Sequence, residues 1–299
     1  MTPNTRAALL MMASMAAYTS NDAVVKLTLD QAPLYQIVVM RGVVTSVLLF
    51  LLARHLRQLG NSLTREDWTL VLLRGGFEAA STYFFLTALA YLPLADVTAA
   101  MQVLPLTVTL GAWLFFGESI GWQRMAAIAL GFCGMLLIVR PGPDGFSVYA
   151  LYSLCAIICL TLRELTTRKM SPRVPSLLVA FVSALMVCML GAAWSVGTEW
   201  VPVSAGLMAK ILLASSFIFV GYLFSVLAMR QGDVSFSAPF RYTGLLWALV
   251  LGWLVFGEWP DAVTLTGAAI VVASGIFALY RTKVRGQPMP GQPEKTRRT

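Results

Sequence analysis

Apolar residues in this chain come in runs of about twenty, divided by short polar connections. A bilayer core asks for about 20 apolar residues per helix. Ten spans meet that length, at roughly 6–25, 34–53, 67–91, 95–116, 122–140, 146–167, 175–197, 207–228, 234–256 and 261–281. The connections carry turn chemistry at Leu92-Pro93, at Pro141 to Gly145, at Ser171-Pro172, at Gly232-Asp233 and at Trp259-Pro260-Asp261. The pattern predicts an all-α integral membrane protein with ten transmembrane helices. The tail from Lys283 is polar, basic and rich in Pro and Gly, and is expected to be disordered and cytoplasmic.

The apolar stretch from Leu94 to Glu118 returns 140 positions later, from Val234 to Glu258. At that offset Trp113 falls on Trp253, and Phe116-Gly117-Glu118 falls on Phe256-Gly257-Glu258. Earlier parts align at an offset of 142, with Asp22 on Glu164, Lys26 on Arg168 and Pro33 on Pro175. The chain therefore reads as two repeats of five spans, 1–142 and 143–282, followed by the tail at 283–299. Five is odd, so the second repeat enters the membrane from the opposite side and the repeats are inverted. Inverted repeats give one scaffold two related conformations, with a site near the midplane between them.

Composition agrees with lipid as the solvent. The chain is 58% hydrophobic and 12% charged, with a mean hydropathy of +0.75, where a soluble domain carries about 25% charge. The net charge of +8 is not a nucleic-acid footprint, because the basic residues sit in short loops and the tail. With the N-terminus inside, 15 basic residues lie on the inner side and 3 (Lys26, Arg140 and Lys210) on the outer side. That bias places both termini in the cytoplasm, and the expected location is the inner (plasma) membrane of a bacterial cell. The first apolar run lacks a clear small-residue cleavage site and is expected to remain as a span. Cys133, Cys155, Cys159 and Cys188 all lie inside apolar runs and read as small packing residues. The single histidine, His55, is in a loop, so no metal site and no cofactor are expected.

Five-plus-five inverted spans resemble the drug/metabolite transporter superfamily, in its EamA branch. The resemblance rests on Arg41-Gly42 in the second span, Leu92-Pro93-Leu94-Ala95-Asp96 before the fourth, Pro105 within it, both Phe-Gly-Glu ends, and Gly131 with Gly134 in the fifth. It covers residues 6–281. The second repeat departs from the pattern: Met101-Gln102 is answered by Arg241-Tyr242, and Pro105 by Leu245. The resemblance implies transport of small metabolites such as amino acids, purines, sugars or drugs.

Charges inside spans cost about 2.5–3.5 kcal/mol each at the membrane centre, which makes them functional candidates. Arg74 and Glu78 stand one turn apart on the third span and can pair, either as a structural lock or as part of a site. Arg41 and Arg241 have no acidic partner on their own helices, and a guanidinium forks onto a carboxylate or phosphate. One of the two is expected to receive an anionic group, the other reading for Arg41 being helix packing. Met101 and Gln102 would face Arg241 and Tyr242 across the cavity. Asn21-Asp22 and Arg163-Glu164 occupy matching places in spans one and six, and read either as gating or proton-coupling groups or as interfacial side chains that snorkel. Tyr18, Tyr83, Phe240, Tyr242 and Trp247 are aromatic candidates for the cavity wall. The Phe-Gly-Glu ends read as helix stops whose Glu meets water. Ala127/Gly131 and Ala269/Ala273 have the four-residue spacing of close helix contact, so spans five and ten are expected to pack together.

No GxxxxGK[ST] and no HExxH occur, so this chain has neither an ATP-binding loop of that type nor that zinc motif. The chemistry left is not enzymatic. The expected function is secondary transport of a small organic metabolite, with an amino acid or amino-acid derivative exported by alternating access. Uptake of a cofactor-like solute such as riboflavin or S-adenosylmethionine is the alternative. A non-transporting scaffold or sensor lies outside both. The expected partners are a small-molecule substrate and the lipid bilayer, with no nucleic acid, for a monomer or homodimer.

Overall fold

A computed structural model describes residues 2–58, 63–118, 120–140, 147–231 and 234–284. The turn signals at Pro141 to Gly145 and Gly232-Asp233, and the expected disordered tail from residue 285, lie outside these. The elements are α1 (Pro3–Lys26), α2 (Leu34–His55), α3 (Arg65–Tyr91), α4 (Leu94–Met101), α5 (Leu104–Phe116), α6 (Trp122–Val139), α7 (Val148–Lys169), α8 (Ser176–Trp194) and α9 (Ala205–Gln231). They continue as α10 (Val234–Ser237), a 3₁₀ turn η1 (Ala238–Tyr242), α11 (Thr243–Phe256) and α12 (Ala262–Val284).

In lipid every backbone polar group must be satisfied within the protein, which selects helices. Their starts are chemically marked. Thr64 and Asp67 close a capping box on α3, the Thr2 hydroxyl accepts from the Thr5 N–H, and the Asp261 carboxylate accepts from the Thr264 N–H at 2.8 Å. Asp261 precedes the apolar span that starts at Ala262. The Thr264 N–H first, and then the Arg140 guanidinium, hold its carboxyl down to about 2. That contact is present above the ordinary Asp range and fades as pH falls toward 2. α5 and α11 both stop at a glycine in the left-handed region, Gly117 at φ 67° and Gly257 at φ 66°, where a side chain would be strained.

Among the described residues, eight segments are long and apolar enough to cross a membrane. α1 and α3 complete the ten, and they fall short in hydropathy because they carry polar groups of the candidate site. The main helix contacts cross between repeats: α1 on α9, α3 on α7, α2 on α8, and α6 on α12. Exchanging first-repeat for second-repeat helices maps α1·α9 onto α7·α3, and leaves α2·α8 and α6·α12 unchanged. That is the contact map of two inverted five-helix repeats that interleave around a two-fold axis.

The expected packing of spans five and ten is present as α6 on α12. A backbone-to-backbone approach lies one turn from the anticipated Gly131. A Cβ on Gly134 would stand 2.8 Å from the Gly267 carbonyl oxygen, and one on Gly267 would stand 2.6 Å from the Gly134 oxygen. Backbone cannot step aside as a flexible side chain can. Gly134→Ala is therefore expected to cost about 1–3 kcal/mol, seen as a lower melting temperature in detergent. An unchanged melt would mean that the two helices do not touch there.

Candidate functional site

The spans expected at 95–116 and 234–256 are not continuous helices. α4 ends at Met101, Gln102 and Val103 form a turn, and α5 begins with Pro105 at its start. On the other repeat, Pro239 opens the 3₁₀ turn η1 that holds Arg241 and Tyr242. A proline removes one backbone donor and presses on the carbonyl of the preceding turn, so each span breaks where its proline sits. Met101-Gln102 and Arg241-Tyr242, paired by the repeat offset, thus both lie at interruptions. Gln102 reaches across toward the second one: its Nε2 lies 3.7 Å from where a Cβ on Gly244 would stand. Broken helices at matching positions of two inverted repeats are the usual frame of a transporter's binding site.

Charged side chains gather beside these breaks. Arg163 on α7 donates to Glu78 Oε2 on α3 at 2.8 Å and also to Glu164 Oε1. Arg74 stands 3.8 Å from Glu78, and its own hydrogen bonds go to Thr167 Oγ1 (3.0 Å) and Ser183 Oγ (2.6 Å). The expected Arg74–Glu78 pair is present, but Arg163, from the other repeat, is the tighter partner of Glu78. Arg41 is 7% exposed and donates to Asn21 Oδ1 at 3.2 Å, while the Asn21 amide donates to Asp22 Oδ1 at 2.8 Å. Arg41 is therefore occupied within the protein, beside Asp22. Arg41 also acts electrostatically on Glu78, so both groups belong to one network.

Arg241 differs. Among the described residues no carboxylate pairs with it, although Tyr18 and Glu164 lie within its electrostatic reach. Asp22, Glu78 and Glu164 set three negative charges against Arg41, Arg74, Arg163 and Arg241, which leaves one positive charge over. The side chains of Arg163, Glu164 and Glu78 keep 19%, 22% and 26% exposure. These charges are drawn from the opposed helices α3 and α7 and keep part of their surface, whereas a scaffold would seal them.

The aromatic candidates separate. The Tyr18 ring packs against Gly221, and Tyr18 interacts with Arg163, Arg241, Glu78 and Tyr222. Tyr83 belongs to a chain of rings, Tyr35–Trp194–Tyr83–Tyr152–Tyr149–Tyr91, that ends in a stacked pair 3.8 Å apart. Tyr242 is not brought to the charged network: it is 5% exposed, with its ring against Gly275 and Leu279 nearby. Trp247 is exposed with Leu246, Val250 and Leu254 on the outward arc of α11. Phe240 meets Phe236.

The Phe-Gly-Glu ends stop their helices as expected, but their carboxylates are not simply in water. Lys26 donates to both Glu258 oxygens, at 2.9 and 3.0 Å, and sits 5.0 Å from the Phe256 ring centre. At the opposite end of the bundle Arg168 pairs with Glu118 and sits 5.3 Å from the Phe116 ring centre. The two contacts are one contact repeated by the two-fold exchange, each joining one repeat to the other. The signal lay in the sequence, in the alignments of Lys26 with Arg168 and of Glu118 with Glu258. It needed the repeats to be interleaved before it could be read.

Two inverted repeats, two interrupted helices and a charged network between them define a membrane transporter. The EamA-like transporter family matches residues 5–140 and again 147–280, and the chain belongs to that family. The chain is 27% identical to the pseudopaline exporter CntI of Pseudomonas aeruginosa over 277 residues, 92% of this chain and 96% of that one. It is 28% identical to an S-adenosylmethionine uptake transporter of Rickettsia prowazekii (67% of this chain, 69% of that one). It is 30% identical to a riboflavin transporter of Vibrio cholerae (75% and 76%). A protein of known crystal structure shares the fold at a TM-score of 0.66 and 16% identity, over 94% of this chain and 99% of that one.

Proposed function

We propose that the protein exports an amino acid or amino-acid derivative across the plasma membrane by alternating access, with both termini cytoplasmic. The observation that carries this reading is Arg241 at the break of the ninth span, which has no ion-pair partner among the described residues and lies beside a network with one positive charge in excess. A carboxylate is the complement of that charge, and a guanidinium holds it in a two-point fork. The basic bias of the inner segments supports the orientation.

The twin contacts Lys26–Glu258 and Arg168–Glu118 act as the two gates. Each is partly exposed, so each contributes about 1 kcal/mol, enough to shift a two-state balance about fivefold. Glu118→Gln is expected to make a cysteine placed at Leu165 react faster with a water-soluble thiol reagent, and Glu258→Gln to make it react more slowly. Shifts in the same direction in both variants would reject paired gates.

A second reading, uptake of a cofactor-like solute, draws on the aromatic chain around Tyr83 and on the relatives named for S-adenosylmethionine and riboflavin. S-adenosylmethionine itself carries an α-amino carboxylate, so it shares the Arg241 argument. The test is a melting series of the purified protein with amino acids, S-adenosylmethionine and riboflavin. A ligand at 100 times its dissociation constant stabilises by about 2.7 kcal/mol. A shift with amino acids supports export and directs flux assays to that set. A shift with riboflavin alone overturns the carboxylate reading.

A further inference from the structure

A polar cavity lies away from the Arg241 network, at the end of the bundle that carries Lys26 and Glu258. Its volume is about 370 Å³, within the range of small-molecule sites. Asp96, Ser153, Arg140, Asp261, Thr264 and Trp259 are among its walls. The charges there do not cancel. Arg140 is committed to Asp261, and Lys26 to Glu258 and the Leu92 carbonyl. Asp96 lies within electrostatic reach of all four charged groups, yet among the described residues it makes no hydrogen bond, and its buried Oδ1 has no partner there. Ser153, at 2% exposure, also presents to this cavity a hydroxyl with no partner among the described residues.

A carboxylate in the first turn of α4 is favoured by the helix dipole, which would explain an acid at this place. It does not explain the unpaired hydroxyl opposite, nor a cavity between them. The repeat does not demand the acid either: Phe236 stands at the matching position of the second half. Among the described residues no group of three His, Cys, Asp or Glu side chains could hold a metal ion. What remains is one negative charge, one hydroxyl able to accept a hydrogen bond, and the Trp259 ring at the wall, suited to a cation over its face.

We infer that this cavity binds the primary ammonium group of an organic solute, with Asp96 as its counter-ion and Ser153 as an acceptor. This deepens the transport reading and rests on it: the carried solute is a zwitterion whose ammonium docks at Asp96 and whose carboxylate docks at Arg241, at different stages of its passage.

The probe is benzylamine, cationic at neutral pH, titrated into the purified full-length protein, with benzyl alcohol as the uncharged analogue. Benzylammonium is expected to raise the melting temperature saturably where benzyl alcohol does not. Asp96→Asn is expected to weaken the apparent affinity about tenfold or more, the loss of a hydrogen bond to a charged group. Equal effects of the two probes, or wild-type affinity in Asp96→Asn, overturn the proposal. So does a variant that loses the pH dependence of transport while benzylammonium binds unchanged, since the site would then hold a proton. Should Asp96→Asn fail to fold, Ser153→Cys gives an independent reading. Its reaction with a cationic methanethiosulfonate, followed on the peptide bearing position 153, is expected to outrun that with an anionic one more than about tenfold, and equal rates reject a cation site. Arg241→Gln separates the two readings: it removes carboxylate binding and leaves benzylammonium binding intact, so either can fail alone.

Discussion

Arg163→Ala destabilises the folded protein by about 3 kcal/mol. The guanidinium lies between two carboxylates, at 2.8 Å from Glu78 and bonded to Glu164. Its removal leaves both acids facing each other, with Arg74 3.8 Å from Glu78 and Arg241 within electrostatic reach of Glu164. Breaking a buried ion pair by deleting one partner costs about 3–5 kcal/mol. The lower end applies here, because the Glu78 side chain keeps 26% exposure. Arg163→Lys falls between, since one ammonium cannot fork onto two carboxylates as a guanidinium does. Adding Glu78→Gln to Arg163→Gln recovers more than half of the loss, because the stranded charge is then gone. The measurement is the unfolding midpoint in detergent across this series. A wild-type midpoint in Arg163→Ala would show that the network does not hold α3 to α7.

Arg241→Ala has the opposite profile. Arg241 is exposed and has no ion-pair partner among the described residues, so its loss leaves the melting temperature within about 0.5 kcal/mol of wild type. Transport falls about a hundredfold, the worth of a charge-assisted hydrogen-bonded pair at about 2–3 kcal/mol. The sharper measurement crosses the variant with the substrate. In proteoliposomes, removing the carboxylate from the transported solute costs wild type the same factor, and costs Arg241→Ala almost nothing more. That non-additivity marks two groups that touch. Additive losses would place the carboxylate elsewhere.

The legible part of this protein is the part written in local pattern. Runs of about twenty apolar residues set the number of spans, the 140-residue echo of Leu94–Glu118 set the duplication, and an odd number of spans per repeat made it inverted. The charges that form the central network were visible one by one, because a charge inside an apolar run is costly wherever the helix goes. Their partners were not visible. Glu78 and Arg163 are 85 residues apart, Lys26 and Glu258 are 232 apart, and hydropathy says nothing about which helices meet. The sequence paired Glu78 with Arg74 because a shared helix face is a local fact. The interleaving of the repeats brought Arg163 closer. Arg41 looked free on its own helix and is claimed by Asn21 from α1. Tyr242 sits beside Arg241 in sequence, yet it turns into the packed core against Gly275 because a 3₁₀ turn points successive side chains in different directions. Pro105 and Pro239 could be read from the chain. Whether a proline bends a span or divides it depends on what neighbouring helices offer the freed backbone groups, and that is a property of the assembled bundle.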